Sequence, residues 1–369
     1  MDGHPASKAY QQARKIIFII GFLANIIIFL AFFLSGLSVA LRDIAYGFSQ
    51  NFFIVNAIYM CALSLGLLLV HFPLDFLGEF ILEHRFQLSN QKFHEWLWDL
   101  TKRFFLQLML TLLIVEVGYI LLDRFPRTWW VWAGAFWLFL TLILAKITPN
   151  VLIPIFYKYS KIGNEELRAR ILGLFEKAKI PVQNAYMVDF SKKTKKANAF
   201  ICGLGKGRRV VLSDTLVSDF SIPEIEAVVA HEIGHYKHHD ILKLTIFHTL
   251  TTLLGFFIMN RLWEVFAAHS PAIHIADIAF FPVLAVAFSM FSFLMMPLSN
   301  SFSRYLEVKA DLFSLKATLA PQHFISMMKK LGVKNLSEFN PGLLTEIFLY
   351  DHPPISKRID LAQNYQLSL

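Results

Sequence analysis

Lys15 opens an apolar run that lasts to about Gly36, and five more runs of comparable length follow it. They are Phe52 to Phe76, Phe104 to Leu122, Trp129 to Thr148, Leu242 to Leu262 and Ile275 to Leu298. A bilayer's hydrocarbon core takes roughly 20 apolar helical residues to cross, so the pattern predicts six membrane spans. The first run is followed by Ser38-Val39-Ala40, a sequence that could end a secretory signal. The run is longer than the ~7–15 apolar residues of such a signal, so it reads as a retained span. Trp129, Trp130 and Trp132 suit a membrane interface at the start of the fourth span. Near its end Lys146 can snorkel, and Pro149 and Pro154 are expected to bend the chain out of the bilayer. Glu116 lies inside the third run. An acid there costs about 2.5–3.5 kcal/mol on insertion scales and should face other helices. An interhelical hydrogen bond is favoured over a cavity wall.

Between the fourth and fifth runs the pattern becomes polar. Asn164 to Lys179 carries Leu167, Ile171, Leu174 and Phe175 on one stripe and predicts an amphipathic helix. Ala185 to Val188 predicts a strand, as do Ala199 to Cys202 and Arg209 to Leu212. The last two flank Gly203-Leu204-Gly205-Lys206-Gly207, which reads as a hairpin turn rather than a phosphate loop, because no Lys-Ser or Lys-Thr follows in a strand-to-helix setting. After the sixth run, residues 299–369 are helical in pattern. The expected organisation is a four-span membrane domain over 1–148 and a first catalytic part over 149–240. Two membrane helices over 241–298 and a second catalytic part over 299–369 would follow.

Composition agrees with a membrane protein: 56% of the 369 residues are hydrophobic, only 17% are charged, and 37 are Phe. The net charge of +8 would suit nucleic acid. Lys and Arg gathered on loops that face anionic lipid are the simpler account, and no nucleic-acid partner is expected. These residues are sparse around 37–50 and 263–274 and frequent in the N-terminal tail, the 79–103 loop and both polar regions. The positive-inside rule therefore places both termini and the polar regions in the cytoplasm, in a bacterial inner membrane or an ER-type membrane. Cys61 and Cys202 provide no disulfide framework.

Candidate chemistry sits at His231-Glu232-Ile233-Gly234-His235. Residues four apart share a helix face, so both imidazoles can reach one metal ion, and Glu232 can reach a water held there. Zinc lowers the pKa of such a water from about 16 to roughly 7, and a carboxylate can then take its proton. By composition the pattern would arise by chance about two times in a hundred, so its context matters. Ser221, Pro223 and Glu224 upstream form a helix start, which puts both histidines on one helix. His238 and His239 fall on other faces and read as surface residues. A catalytic zinc needs a third protein ligand. Glu307 and Asp311, four apart just beyond the sixth run, could be a ligand and an acid that orients a zinc-bound histidine, or simply a solvated face.

The sequence His231-Glu232-Ile233-Gly234-His235-Tyr236 together with Ser303-Arg304-x-x-Glu307-x-x-Ala310-Asp311 resembles the type I CAAX prenyl endopeptidases. These are integral membrane zinc metalloproteases. Three further stretches resemble the family in the same order. They are Glu83-His84-Arg85-Phe86-x-Leu88-Ser89-Asn90-Gln91, then Asn198-Ala199-Phe200 with Arg209-Val210-Val211-Leu212-x-Asp214-Thr215-Leu216, then Asp351-His352-Pro353-Pro354 with Arg358-Ile359. The resemblance implies a mostly α, polytopic fold with a zincin-like α+β catalytic domain carrying a small sheet. It implies one Zn2+ on His231, His235 and Glu307, with Glu232 as general base and Asp311 supporting a ligand. His352 and Arg358 would stabilise the oxyanion, and Asn198, Ala199 and Phe200 would bind the substrate backbone along an edge strand. The substrate would be a membrane-associated peptide or protein, with a prenylated C-terminus as the family case. Eukaryotic members have seven spans around a large chamber, and six are read here.

Two other readings compete. A membrane quality-control zinc protease would share the His-Glu-x-x-His helix but have fewer spans and lack the Asn90-Gln91 loop. The non-enzyme reading is a zinc transporter or sensor; a transporter needs ligands within its spans, where only Glu116 and His248 are candidates.

Overall fold

The six runs become helices, and several extend well past the apolar residues that announce them. In this computed structural model, residues 5–203, 208–269 and 274–367 are described. Helix α1 (Pro5–Leu34) is followed by a short α2 (Leu37–Phe48) and by α3 (Phe52–Asp75). Pro73 does not end α3. A π-helical stretch, Phe76–Ile81, follows it and leads into α4 (Leu82–Arg85), so that Phe52–Arg85 is one 34-residue helix.

After α5 (Phe93–Arg124) and α6 (Trp129–Ile147) the device recurs. A π-helical turn, Thr148–Leu152, takes in Pro149, and α7 (Ile153–Phe156) takes in Pro154. The fourth span therefore ends at Phe156 rather than near Thr148, a correction to the expectation from the prolines. Glu116 of α5 accepts a hydrogen bond from Asn56 of α3 at 3.3 Å, the interhelical contact expected of it. The 12-residue α2 was not legible as a helix. Its Ser38 donates to the Ala279 carbonyl at 2.6 Å and pairs with the Tyr59 hydroxyl at 2.6 Å.

The polar regions form one body. Strand β1 (Tyr159–Lys161) precedes α8 (Glu165–Lys177), whose cap Asn164 accepts from Leu167 N–H at 3.0 Å. Strands β2 (Asn184–Val188), β3 (Ala199–Cys202) and β4 (Arg209–Ser213) complete a sheet in the order β1-β2-β4-β3. β2 and β4 are parallel, and β3 pairs antiparallel with β4 from Ala199 opposite Leu212 to Cys202 opposite Arg209. The turn predicted between β3 and β4 lies largely outside the described residues. The short α9 (Asp214–Asp219) leads to α10 (Ile222–Lys237) and to the fifth span, α11 (Asp240–His269).

The sixth span, α12 (Phe281–Thr318), does not stop at Leu298 but runs 38 residues to Thr318. It is followed by α13 (Pro321–Lys334), α14 (Leu343–Leu349) and α15 (Ile355–Leu367). One apolar core joins Leu167, Ile171 and Phe175 of α8 and Ile225, Val229 and Ile233 of α10 to Phe324 and Met327 of α13 and Ile359 of α15. Residues on either side of the last two spans are therefore packed together.

Candidate active site

Helix α10 starts where the sequence predicts. Ser221 is its cap, and Glu224 reaches back to accept the Ser221 N–H at 2.8 Å. Glu224 also receives Lys330 at 2.7 Å and Ser326 at 2.6 Å, both from α13. Burial raises its pKa, but these donors outweigh the effect and bring it down to about 2. Further along, α10 crosses α12 at very close range. A Cβ on Gly234 would lie 3.0 Å from the Ala310 Cα and 3.1 Å from the Phe313 Cβ. Ser314 fixes the crossing by donating to the Ala227 carbonyl at 2.7 Å.

This crossing brings three side chains together. His231, His235 and Glu307 each offer an atom, all within 4.8 Å of one another, a group that could hold one metal ion. The two Nε2 atoms are 3.1 Å apart, and Glu307 Oε1 and Oε2 lie 3.1 Å from His235 Nε2 and 3.3 Å from His231 Nε2. The other ring nitrogens face acids: His231 Nδ1 is 2.8 Å from Asp311 Oδ1, and His235 Nδ1 is 3.0 Å from Asp240 Oδ2. An Nδ1–H that donates to a carboxylate leaves a lone pair on Nε2. Two such lone pairs would then face a carboxylate with no positive charge between them.

The buried Glu307 Oε2 makes no hydrogen bond among the described residues. The carboxylates also act on the acid–base balance of the group. Burial opposes charge on His231, yet Asp311 and Glu307 push its pKa up to about 10. Burial likewise opposes charge on Glu307, yet His231 and His235 hold it well below the carboxylate range. Two imidazoles, a carboxylate and an orphaned oxygen at this spacing fit a zinc ion.

Glu232 does not join this group. It lines a cavity of about 570 Å3 together with His231, Asn198, Ala199, His352 and Arg358. Burial raises its carboxyl above the usual range, against the pull of the two imidazoles. His352 approaches from the segment before α15, its Nε2 3.3 Å from Glu307 Oε1 and its Nδ1 2.8 Å from Asp351. Arg358 of α15 is 8% exposed and forks onto Asp311, with Nε to Oδ2 at 2.8 Å and Nη2 to Oδ1 at 2.5 Å. Its Nη2 also lies 3.4 Å from His231 Nδ1, so the guanidinium, the acid and the ring form one network. Asn198 is exposed at the cavity and Ala199 lines it, whereas Phe200, next in the strand, is not among its lining residues.

Asp240 was not singled out in the sequence. Its carboxylate bridges His235 and Lys243, the latter at 3.0 Å. His238 is also less superficial than expected: its ring packs edge-on against Phe313, 5.9 Å between centroids, while His239 is exposed.

Comparison with known proteins shows the family. Residues 161–366 match the sequence profile of peptidase family M48, and residues 2–158 match that of the "CAAX prenyl protease N-terminal, five membrane helices". Among the described residues of that stretch, this chain has four span-length helices and the short α2. The chain is 30% identical over 363 residues to "Uncharacterized metalloprotease YhfN" of Bacillus subtilis, covering 97% of this chain and 84% of that protein. It is 29% identical over 334 residues to CAAX prenyl protease 1 of Saccharomyces cerevisiae, covering 84% and 73% respectively. The crystal structure of S. mikatae Ste24p shares the fold, with a TM-score of 0.84 at 24% identity over 96% of this chain and 88% of that one. A six-span helical protein with this site and these relatives is a membrane metalloendopeptidase, and the chain belongs to peptidase family M48.

Proposed function

We propose that this enzyme is a zinc endopeptidase that cleaves membrane-associated peptides close to their C-terminus, the CAAX type of processing. The observation that carries the reading is the His231–His235–Glu307 group beside Glu232, in a cavity bordered by the edge strand β3. The relative named CAAX prenyl protease 1 supports the substrate class.

In this reading His231, His235 and Glu307 hold one zinc ion. Asp311 and Asp240 keep the proton of each imidazole on Nδ1, so that both Nε2 atoms present lone pairs. When bound, zinc supplies Lewis-acid polarisation and makes a water acidic near neutral pH. Glu232 accepts a proton from the attacking water and returns it to the leaving amine as the C–N bond breaks. Its raised pKa suits both halves of that exchange. His352 supplies donor charge where the carbonyl oxygen becomes negative, and Arg358 adds a fixed positive charge from behind. Asn198 and the backbone of Ala199, with Phe200 beyond, receive the peptide as an added strand. The catalytic domain is proposed in two parts, 149–240 and 299–369, flanking the 241–298 helix pair and following the 1–148 membrane domain. Lys and Arg near the ends of helices on the site's side support a cytoplasmic active site.

The test is cleavage of matched farnesylated and unmodified peptides by detergent-purified protein. At least tenfold faster cleavage of the farnesylated peptide supports CAAX-type processing. Equal rates would overturn it in favour of a broad membrane protease.

A further inference from the structure

Only alternate residues along β3 present backbone groups to the open side of the sheet. The Ser213 N–H donates to the Asn198 carbonyl at 2.9 Å, and the Asn198 N–H donates to Ser213 Oγ at 3.0 Å. The backbone of Asn198 is thus directed at β4. In an antiparallel pair the residues on either side turn their N–H and C=O the opposite way. The backbone groups of Ala197, Ala199 and Ile201 therefore face the free edge.

Those positions are not equally free. Among the described residues the Ala199 N–H meets only the neighbouring Asn198 Oδ1, at 2.9 Å. Ala197 is closed on both groups. Its N–H donates to Asn335 Oδ1 at 3.0 Å, and its carbonyl accepts from Asn335 Nδ2 at 3.2 Å. A side-chain amide carries the same donor and acceptor as a peptide group, so Asn335 takes the place that a paired strand would occupy. It is held firmly there. Its N–H caps α13 through the Leu331 carbonyl at 2.9 Å, and Gln11 of α1 grips the next carbonyl, Leu336, at 2.8 Å. Ala197 is anchored from the other side too, because Lys196 Nζ is 2.9 Å from both Glu83 Oε1 and the Tyr10 hydroxyl. Ala197, Asn335 and Glu232 line the same cavity.

We infer that Asn335 sets the register in which a substrate strand pairs with β3, and hence which peptide bond reaches the catalytic group. An added strand stops at Ala197, and Ala199 is the first residue open to it. A slip that keeps every side chain on its own face moves a strand by two residues, and one such step is what Asn335 blocks. The inference rests on the strand-pairing reading above. Asn335 is a positioning residue in it and takes no part in the chemistry.

The experiment maps cleavage sites by mass spectrometry on a peptide whose sequence repeats every two residues, so that its side chains favour no register. Wild type is expected to give one dominant cut at a fixed distance from the peptide's end. Asn335→Ala is expected to give a second cut displaced by two residues, raised at least tenfold over its wild-type level. Asn335→Asp keeps the acceptor for the Ala197 N–H but frees the carbonyl, and should give the same displaced cut in smaller amount. If Asn335→Ala does not fold, as judged by its melting temperature, Asn335→Asp decides alone. Cleavage confined to the wild-type bond, at whatever rate, would overturn the proposal, since a merely structural role lowers rate or stability without moving the cut. A peptide N-methylated at alternate amides separates the two layers. If it is cleaved as fast as its parent, strand pairing itself fails, whatever Asn335 does.

Discussion

The Asp240 carboxylate lies 3.0 Å from His235 Nδ1, although Asp240 opens the fifth membrane helix and His235 sits near the end of the helix before it. The chain reverses between them at His239, whose φ of 56° lies in the left-handed region. Asp311 plays the matching part for His231 from the sixth span's extension. One carboxylate from each of the last two membrane helices thus orients one imidazole. Asp240→Asn and Asp311→Asn should each weaken zinc binding by roughly 10–100-fold, read by competition with a chelating dye. The Asp311 variant should be the more harmful to stability as well, because the buried Arg358 loses its two-pronged carboxylate and keeps only the amide oxygen and Glu307 Oε2, 3.8 Å away.

Gly234 tests the helix crossing that assembles the site. A methyl group there meets the Ala310 backbone at 3.0 Å, which cannot swing aside as a side chain could. Gly234→Ala should cost about 1–3 kcal/mol of stability. Its peptidase rate should fall by up to about 100-fold, because Glu307 moves with α12. Thermal unfolding and steady-state kinetics check the two effects separately.

Glu224 predicts an acid-dependent stability. Its folded pKa is depressed from 4.5 to about 2, since hydrogen bonds from Lys330, Ser326 and Ser221 outweigh burial. A depressed carboxylate stabilises the fold fully above its unfolded pKa and loses that contribution as pH falls through the folded one. The loss should therefore run from pH 4.5 down to 2. Glu224→Gln should be about 2 kcal/mol less stable at neutral pH, allowing for the half-exposed Lys330. Its melting temperature should change less than that of wild type across the acid window.

A cytoplasmic active site has a direct readout. With Cys61 and Cys202 replaced, Lys192→Cys should stay unlabelled by an impermeant maleimide in intact cells and react after permeabilisation. Arg124→Cys, exposed at the other end of the spans, should react in intact cells. The reverse pattern would invert the topology.

The membrane fold was legible because a bilayer demands long apolar runs, and no other solvent imposes that length. The prolines misled. A missing N–H in an apolar run reads as a stop, yet past Pro149 and Pro154 the chain stays helical, through a π-helical turn at 148–152 and on to Phe156. His231 and His235 were legible because helical spacing alone aligns them. Glu307 and Asp311 had the right spacing too, but an acid pair on one face has many uses, and only resemblance to a family distinguished it. Asp240 was invisible because a chain reversal at His239, not a helical repeat, returns it to His235. Asn335 was hidden for a plainer reason: its partner Ala197 is 138 residues away.

The central claim is that Glu232 moves the proton while His231, His235 and Glu307 hold the metal. The most direct measurement is the cleavage rate of a farnesylated peptide by Glu232→Gln protein whose zinc content is determined on the same sample. The account predicts one zinc per chain, as in wild type, with the rate down by about 10²–10⁴-fold. Zinc-loaded Glu232→Gln protein that cleaves at the wild-type rate would contradict it.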